Sequence, residues 1–415
     1  MLKAFPAACA VLVMSLLCAP ALAQNAQDLP AAADQPVDQQ GARQPNPPPP
    51  AQPVDRHGNQ SNKPPVSQRV REYVERNPVV KKLNGDGFYP RIGGLSPGSG
   101  LAGGVGYRRN VGGVFLSASG LMSTKAYRGV DAEARYVDTR RFQMASTLKF
   151  RNNTQDDFYG LGMHTTDADR VDFGIRTTDI VTAASARIVR GLHVGAEIGY
   201  LMPSVRHGRD DNLRTIGLLY TDVTAPGLDR QPNFEHHTVF AEMDSRDAEG
   251  FPRHGGYYRA AYGIWDDRSF NEFDFRRTDL TGAQFFSVAP KSVVAMRLEL
   301  IYANNKPGDR VPFYLLPYVG GGDTVRAFRE FRFRDENAGV FNVEFRQKVH
   351  ALAYLAAFAD YGKVARDWQD INFTHARRAL GVGLRAGSDD KMYLRFDAAW
   401  GDDGPRLFLK FSPAF

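Results

Sequence analysis

From Gly85 onward the chain alternates apolar and polar residues with a period of two, in stretches of about ten residues. Leu101, Gly103, Val105 and Tyr107 form one such face, and Phe142, Met144, Ser146, Leu148 and Phe150 a second. Leu192, Val194, Ala196, Ile198 and Tyr200 form a third, and Val294, Met296, Leu298, Leu300 and Tyr302 a fourth. Residues two apart share a face of a strand, so each stretch is a strand with one apolar side. About ten residues is the length that crosses a bilayer at a tilt, whereas strands in soluble sandwiches usually run to about 5–6.

The connections alternate as well. Tight turns are expected near Asn110-Val111, Thr139-Arg140, Arg190-Gly191, Ala289 to Lys291, His350-Ala351 and Ser388 to Lys391, and long polar loops near 152–175, 202–235, 305–338 and 362–377. Short turns at one rim and long loops at the other describe an outer-membrane barrel whose short rim is periplasmic. Counting back from Phe415 with this parity predicts an all-β fold, a 16-stranded antiparallel transmembrane β-barrel over 85–415 with a long inward-folded loop between strands 11 and 12. The last strand alternates through Leu407, Leu409, Phe411 and Pro413 to Phe415; Leu409, Phe411 and Phe415 read as a C-terminal insertion signal. Pro90 and Gly93-Gly94 interrupt the first strand, so its pairing with a Pro413-containing last strand is expected to leave a thin seam. That seam reads either as a lateral gate or as a poorly formed strand.

Ahead of the barrel, residues 1–23 have the charge, apolar run and Ala21-Leu22-Ala23 site of a signal peptide, so export is expected with a mature start at Gln24. Cys18 admits a lipoprotein reading, disfavoured because Leu17 stands where a small residue is needed. Cys9 and Cys18 are the chain's two cysteines, which excludes a disulfide framework or thiolate chemistry from the mature protein. Residues 24–66, with ten prolines, are expected to be a disordered linker. Val70, Tyr73 and Val74 make one helical face stopped by Asn77-Pro78, so 67–84 is expected to be a short periplasmic helix or a loose tether. A net charge of +6 on 415 residues gives no reason to expect nucleic acid.

The long loop is centred on Gly320-Gly321-Gly322-Asp323-Thr324-Val325-Arg326-Ala327-Phe328. The three glycines serve as a hinge that lets the backbone turn with positive φ and approach a wall, so Arg326 can be aimed at one place. In the following strand Phe341, Val343 and Phe345 face lipid, which turns Asn342, Glu344 and Arg346 inward. One strand further on, Leu355, Ala357 and Ala359 face lipid and Tyr354, Ala356, Phe358 and Asp360 face the lumen. Glu344 and Asp360 are thus candidate acceptors for the arginine fork.

The run from Leu316 to Val364, with GGDTVRAF, FRFRDEN, VEFR and FADYGKV, resembles the BamA/TamA outer-membrane assembly superfamily, or bacterial surface antigen barrels. The similarity continues to Phe415 and, more weakly, back to about Gly85. The resemblance implies a docking loop in which Val325, Arg326, Ala327 and Phe328 stand at the family's Val-Arg-Gly-Phe, Arg326 docks on Glu344 and Asp360, and Phe358 is the aromatic neighbour. It implies a bacterial outer-membrane location among lipid and lipopolysaccharide, an unfolded-protein or lipid client, and insertion of the barrel itself by the barrel assembly machinery. Ala327 replaces the family's glycine, where a left-handed backbone would be costly. Only Gln24 to about Asp86 precedes the barrel, most of it proline-rich, so POTRA domains are not expected.

The function implied is insertion or translocation of clients through a lateral seam controlled by the Arg326 loop; the alternative is a passive channel with a loop-constricted lumen. No nucleophile and base stand in a recognisable arrangement, so no enzyme, cofactor or metal is expected. Glu235-His236-His237 reads as incidental, because adjacent strand residues face opposite ways.

Overall fold

A computed structural model of the chain describes residues 85–372, 374–388 and 391–411. The expected signal peptide, linker, helix and the residues Pro413 and Phe415 lie outside these. Among the described residues sixteen strands of seven or more residues follow in order: β1 (Gly87–Gly93), β2 (Ala102–Val111), β3 (Val114–Ser123), β4 (Arg128–Asp138), β5 (Phe142–Phe158), β6 (Val171–Val189), β7 (Leu192–His207) and β8 (Phe234–Asp244), then β9 (Gly255–Asp267), β10 (Phe275–Ala289), β11 (Ser292–Asn305), β12 (Asn337–His350), β13 (Ala353–Ala365), β14 (Arg377–Gly387), β15 (Met392–Gly401) and β16 (Gly404–Lys410).

Each strand pairs antiparallel with the next from β1 to β16. No paired register joins β16 back to β1 among the described residues, so the barrel is nearly closed. The seam is flanked by the two shortest of the sixteen strands, each of seven residues.

Alternation sorts the wall as a lipid-facing barrel requires. Leu380, Val382 and Leu384 of β14 and Leu407 and Leu409 of β16 are exposed on the outside, while Arg385, Arg395 and Asp397 are buried inside. The first hairpin turn falls at Gly112-Gly113, with φ of 57° and 85°, not at Asn110-Val111. A two-residue turn that matches strand twist needs positive φ at both positions, which the glycine pair supplies.

β5, β6 and β7 run to 17, 19 and 16 residues, so the loops expected at 152–175 and 202–235 are shorter than the sequence suggested. Their upper ends project beyond bilayer length, where polar residues such as Asn153 to Asp157 follow no lipid-facing alternation. These projections carry an apolar dome. Phe158, Phe173, Phe234, Phe273, Phe275 and Phe313 are buried together, with the Phe313 ring 5.0 Å from both Phe158 and Phe173. Phe313 belongs to the 306–336 segment between β11 and β12, so that segment helps to cover the long-loop rim before it descends.

Candidate functional site

The 306–336 loop reaches the inner wall of β12 to β15. Val319, Val325, Ala327 and Phe328 are fully buried there beside Phe358 and Val364. Gly320 and Gly321 carry φ of 116° and 108°, a conformation that L side chains rarely adopt. Gly322 sits close to the last strand: a Cβ there would stand 2.6 Å from Lys410 Cε and 3.1 Å from the Phe408 ring, so those side chains would have to give way. The non-glycine residue with positive φ in this loop is Phe331 (φ 61°), not Ala327. Ala327 instead packs its methyl against Gly401 of β15, so alanine in place of glycine brings no left-handed strain.

Arg326 uses its whole donor fork. Nε and Nη2 donate to Asp360 Oδ2 and Oδ1 at 2.8 and 2.7 Å, and Nη1 donates to Glu344 Oε2 at 2.8 Å. Its backbone N–H also donates to Asp360 Oδ2, at 3.1 Å, and its guanidinium lies 3.4 Å from the centroid of the Phe358 ring. Strand register explains the placement. Asn342 pairs with Asp360 and Glu344 with Phe358, so the two carboxylates sit diagonally on one inner face with the aromatic ring beside them. Burial works against the arginine's charge, yet Asp360, Glu344 and Asp397 outweigh it and raise the Arg326 pKa.

The network extends beyond the residues singled out from sequence. Asn342 Nδ2 donates to Asp360 Oδ1 at 2.8 Å and to Thr324 O at 2.7 Å, tying wall to loop. Glu344 also accepts from Arg346 Nε at 2.8 Å and Arg385 Nη2 at 2.7 Å, and Arg385 Nη1 stands 2.6 Å from Asp397 Oδ1. Charges this deeply buried persist only when paired and hydrogen-bonded. The readable signal for Arg385, Arg395 and Asp397 was inward parity in strands whose other face is apolar.

A model of the Omp85 superfamily domain matches residues 131–412. The chain belongs to the Omp85 superfamily. It is thus an Omp85 barrel of the bacterial outer membrane, in agreement with the BamA/TamA resemblance of its loop and last strands. The barrel is similar to the crystal structure of BamA from Haemophilus ducreyi lacking POTRA domains 1–3, with TM-score 0.58 and 15% identity over 78% of this chain and 69% of that one. It is also similar to CdiB from Escherichia coli, with TM-score 0.50 and 14% identity over 78% of this chain and 61% of that one. At these identities the likeness concerns the fold. No curated protein sequence matches the chain.

In this Omp85 barrel the loop is fastened to the last strand as well. Asp323 receives Arg395 Nη2 at 2.9 Å and Lys410 Nζ at 3.0 Å, and Lys410 also lies 3.3 Å from Glu330. Higher on the same strand's turn, Asp403 lies 2.9 Å from Arg332 Nε. Arg334, fully buried, donates to Phe313 O at 3.2 Å beneath the dome, and burial pulls its pKa down to about 10.

The remaining candidate residues fall elsewhere. Leu409 and Phe411 are exposed on the outside near the seam, away from the loop contacts, and Phe415 lies outside the described residues. His236 is buried, stacked 4.4 Å from Trp265 and 3.1 Å from Asp179, whereas His237 is half-buried and meets Glu235. Among the described residues no group of three or more His, Cys, Asp or Glu could hold a metal ion.

Proposed function

We propose that this Omp85 barrel assists insertion or translocation of protein or lipid clients through the seam between β1 and β16, under control of the Arg326 loop. In this reading Val325, Arg326, Ala327 and Phe328 dock on Glu344, Phe358 and Asp360, Gly320 to Gly322 act as the hinge, and Leu409, Phe411 and Phe415 serve the barrel's own insertion. One observation carries the proposal: the same loop grips the rear wall through Arg326 and the seam strand through the Asp323–Lys410 ion pair. A shift of the loop would therefore change what holds β16 in place.

The test places a photo-crosslinking residue at Ile92 or Leu409, both exposed on the outer faces of the seam strands. Adducts with unfolded outer-membrane polypeptides or lipid-linked clients are expected in intact membranes, and their yield should change in Arg326→Ala. A fully inserted barrel that gives no client adduct at either position would sink the reading. Planar-bilayer recording addresses the competing passive channel: a large, steady conductance would favour it, and a closed or flickering pore would favour the gated barrel.

A further inference from the structure

Beside the seam lies a cavity of about 970 Å3, lined by Ile92 and Gly93 of β1, the inner face of β16 and loop residues Asp323 and Arg329 to Phe331. Its long-loop end holds a group of cations that the Arg326 network does not use. Arg406 projects inward from β16, Arg329 comes from the 306–336 loop, and Arg170 stands just before β6. Arg329 is within electrostatic reach of both Arg406 and the Tyr159 hydroxyl, and Arg406 is within reach of Tyr159 too. The Nε atoms of Arg170, Arg329 and Arg406 and the Tyr159 hydroxyl are all buried without a hydrogen-bond partner. Arg329 and Arg406 make no ion pair among the described residues.

Of the carboxylates that line the cavity, Asp156 accepts from Tyr127 and Asn153 and Asp210 from Asn212, while others nearby are committed to cations. Asp157 accepts from Arg170 Nη2 at 2.9 and 3.0 Å, Asp403 is held by Arg332, and Glu330 by Lys410. Asp167 is largely exposed, with its Oδ1 4.0 Å from Arg332 Nε. Two guanidinium groups without an ion-pair partner among the described residues, and buried donors left idle, cost free energy unless an anion fills the space between them.

We propose that Arg329, Arg406, Tyr159 and the Nε of Arg170 bind the phosphate of a lipid headgroup. A phosphate monoester carries about −1.5 to −2 charge and several acceptor oxygens, which suits two unpaired cations and donors arriving from different elements. A carboxylate offers half the charge and two oxygens. The lipid source follows from position: Ile92, Leu407 and Leu409 are exposed on the bilayer side of the same strands, so acyl chains remain outside while the headgroup enters at the seam. The β15–β16 turn is at the long-loop rim, which puts the site at the level of the outer leaflet and its phosphorylated glycolipid. The inference does not require that clients pass through the seam.

Native mass spectrometry of the purified full chain in detergent, with phosphorylated and dephosphorylated outer-leaflet glycolipid as paired probes, tests the site. Loss of two charge-assisted contacts predicts a preference for the phosphorylated form of about tenfold or more, abolished in R329A/R406A and partly kept in R329K/R406K. Should the double alanine variant not fold, R406K and R329Q singly report the same preference. Equal retention of both glycolipids overturns the proposal. So does displacement of the lipid by millimolar inorganic phosphate, which would make the site one for free phosphate, or stronger competition by a peptide with a free α-carboxylate.

Discussion

Lys410 at the end of β16 and Asp323 in the 306–336 loop stand 3.0 Å apart, and Asp323 is simultaneously 2.9 Å from Arg395 on β15. The loop is therefore a brace across the inside of the wall, from Asp360 on β13 to the edge of the seam. Its two attachments differ in kind: Arg326 is enclosed by carboxylates, whereas Asp323 is half-exposed.

Arg326→Ala leaves Glu344 and Asp360 with fewer cations in a dry wall, a loss on the order of 3–5 kcal/mol for a buried pair. The barrel should still insert, since its sixteen-strand ladder is untouched, but the loop should become sensitive to protease added from outside. Arg326→Lys should rescue little, because a single ammonium cannot span Asp360 and Glu344 as the fork does. Limited proteolysis of membrane-embedded protein checks both.

The seam attachment should respond to pH through two acids with opposite signs. Asp323 is opposed by burial but held below its ordinary value by Lys410 and Arg395, so its contribution is present above about pH 3.9 and lost only as pH falls further. Glu330 is raised, mainly by burial, so the folded loop favours its protonated form. Its contribution is complete below about pH 4.3 and declines as pH rises through the folded value. Asp323→Asn should thus lower the temperature of the folded-to-unfolded gel shift at neutral pH. Glu330→Gln should leave it equal or higher and flatten its dependence on pH above about 4.3.

Phe313→Ala removes the ring that joins Phe158 and Phe173 in the dome, at a cost of about 3–5 kcal/mol if the site does not collapse. The expected result is a rise in single-channel conductance with no loss of inserted protein. Unchanged conductance would mean that the Arg326 part of the loop, and not the dome, sets the pore.

On the first strand, Arg91 donates from Nη1 to Asp131 at 2.7 Å and to Ser119 at 2.5 Å, reaching across β2 to β3 and β4. The pair is partly exposed, so Arg91→Ala should cost about 1 kcal/mol or less overall. Locally the effect should be visible as faster amide exchange in Phe88 to Ile92 while β2 and β3 stay protected.

The wall was legible because lipid enforces alternation: the turns expected at Ala289 to Lys291, His350-Ala351 and Ser388 to Lys391 fall where β10 meets β11, β12 meets β13 and β14 meets β15. Arg326, Glu344 and Asp360 could be brought together by face assignment and by the motif. β5 to β7 escaped because their upper ends leave the bilayer, where neither face must be apolar and the period fades. Asp323, Lys410 and Glu330 escaped for another reason. Parity says that Lys410 faces inward, but which loop residue meets it depends on the path of a coil, and the turn at Gly320-Gly321 and the tight fit of Gly322 against β16 decide that path.

The two attachments also differ in when they can form. Arg326 lies 18 and 34 positions from Glu344 and Asp360, whereas Asp323 lies 87 from Lys410. Contacts of long sequence separation close late, because the intervening chain must first be ordered. The Arg326 clasp can be made once β13 is in place, but the second fastening has to wait for the final strand. A loop locked at both ends is thus a record that the last strand has arrived, and a chain truncated before Lys410 should dock Arg326 and still fail to complete the lock.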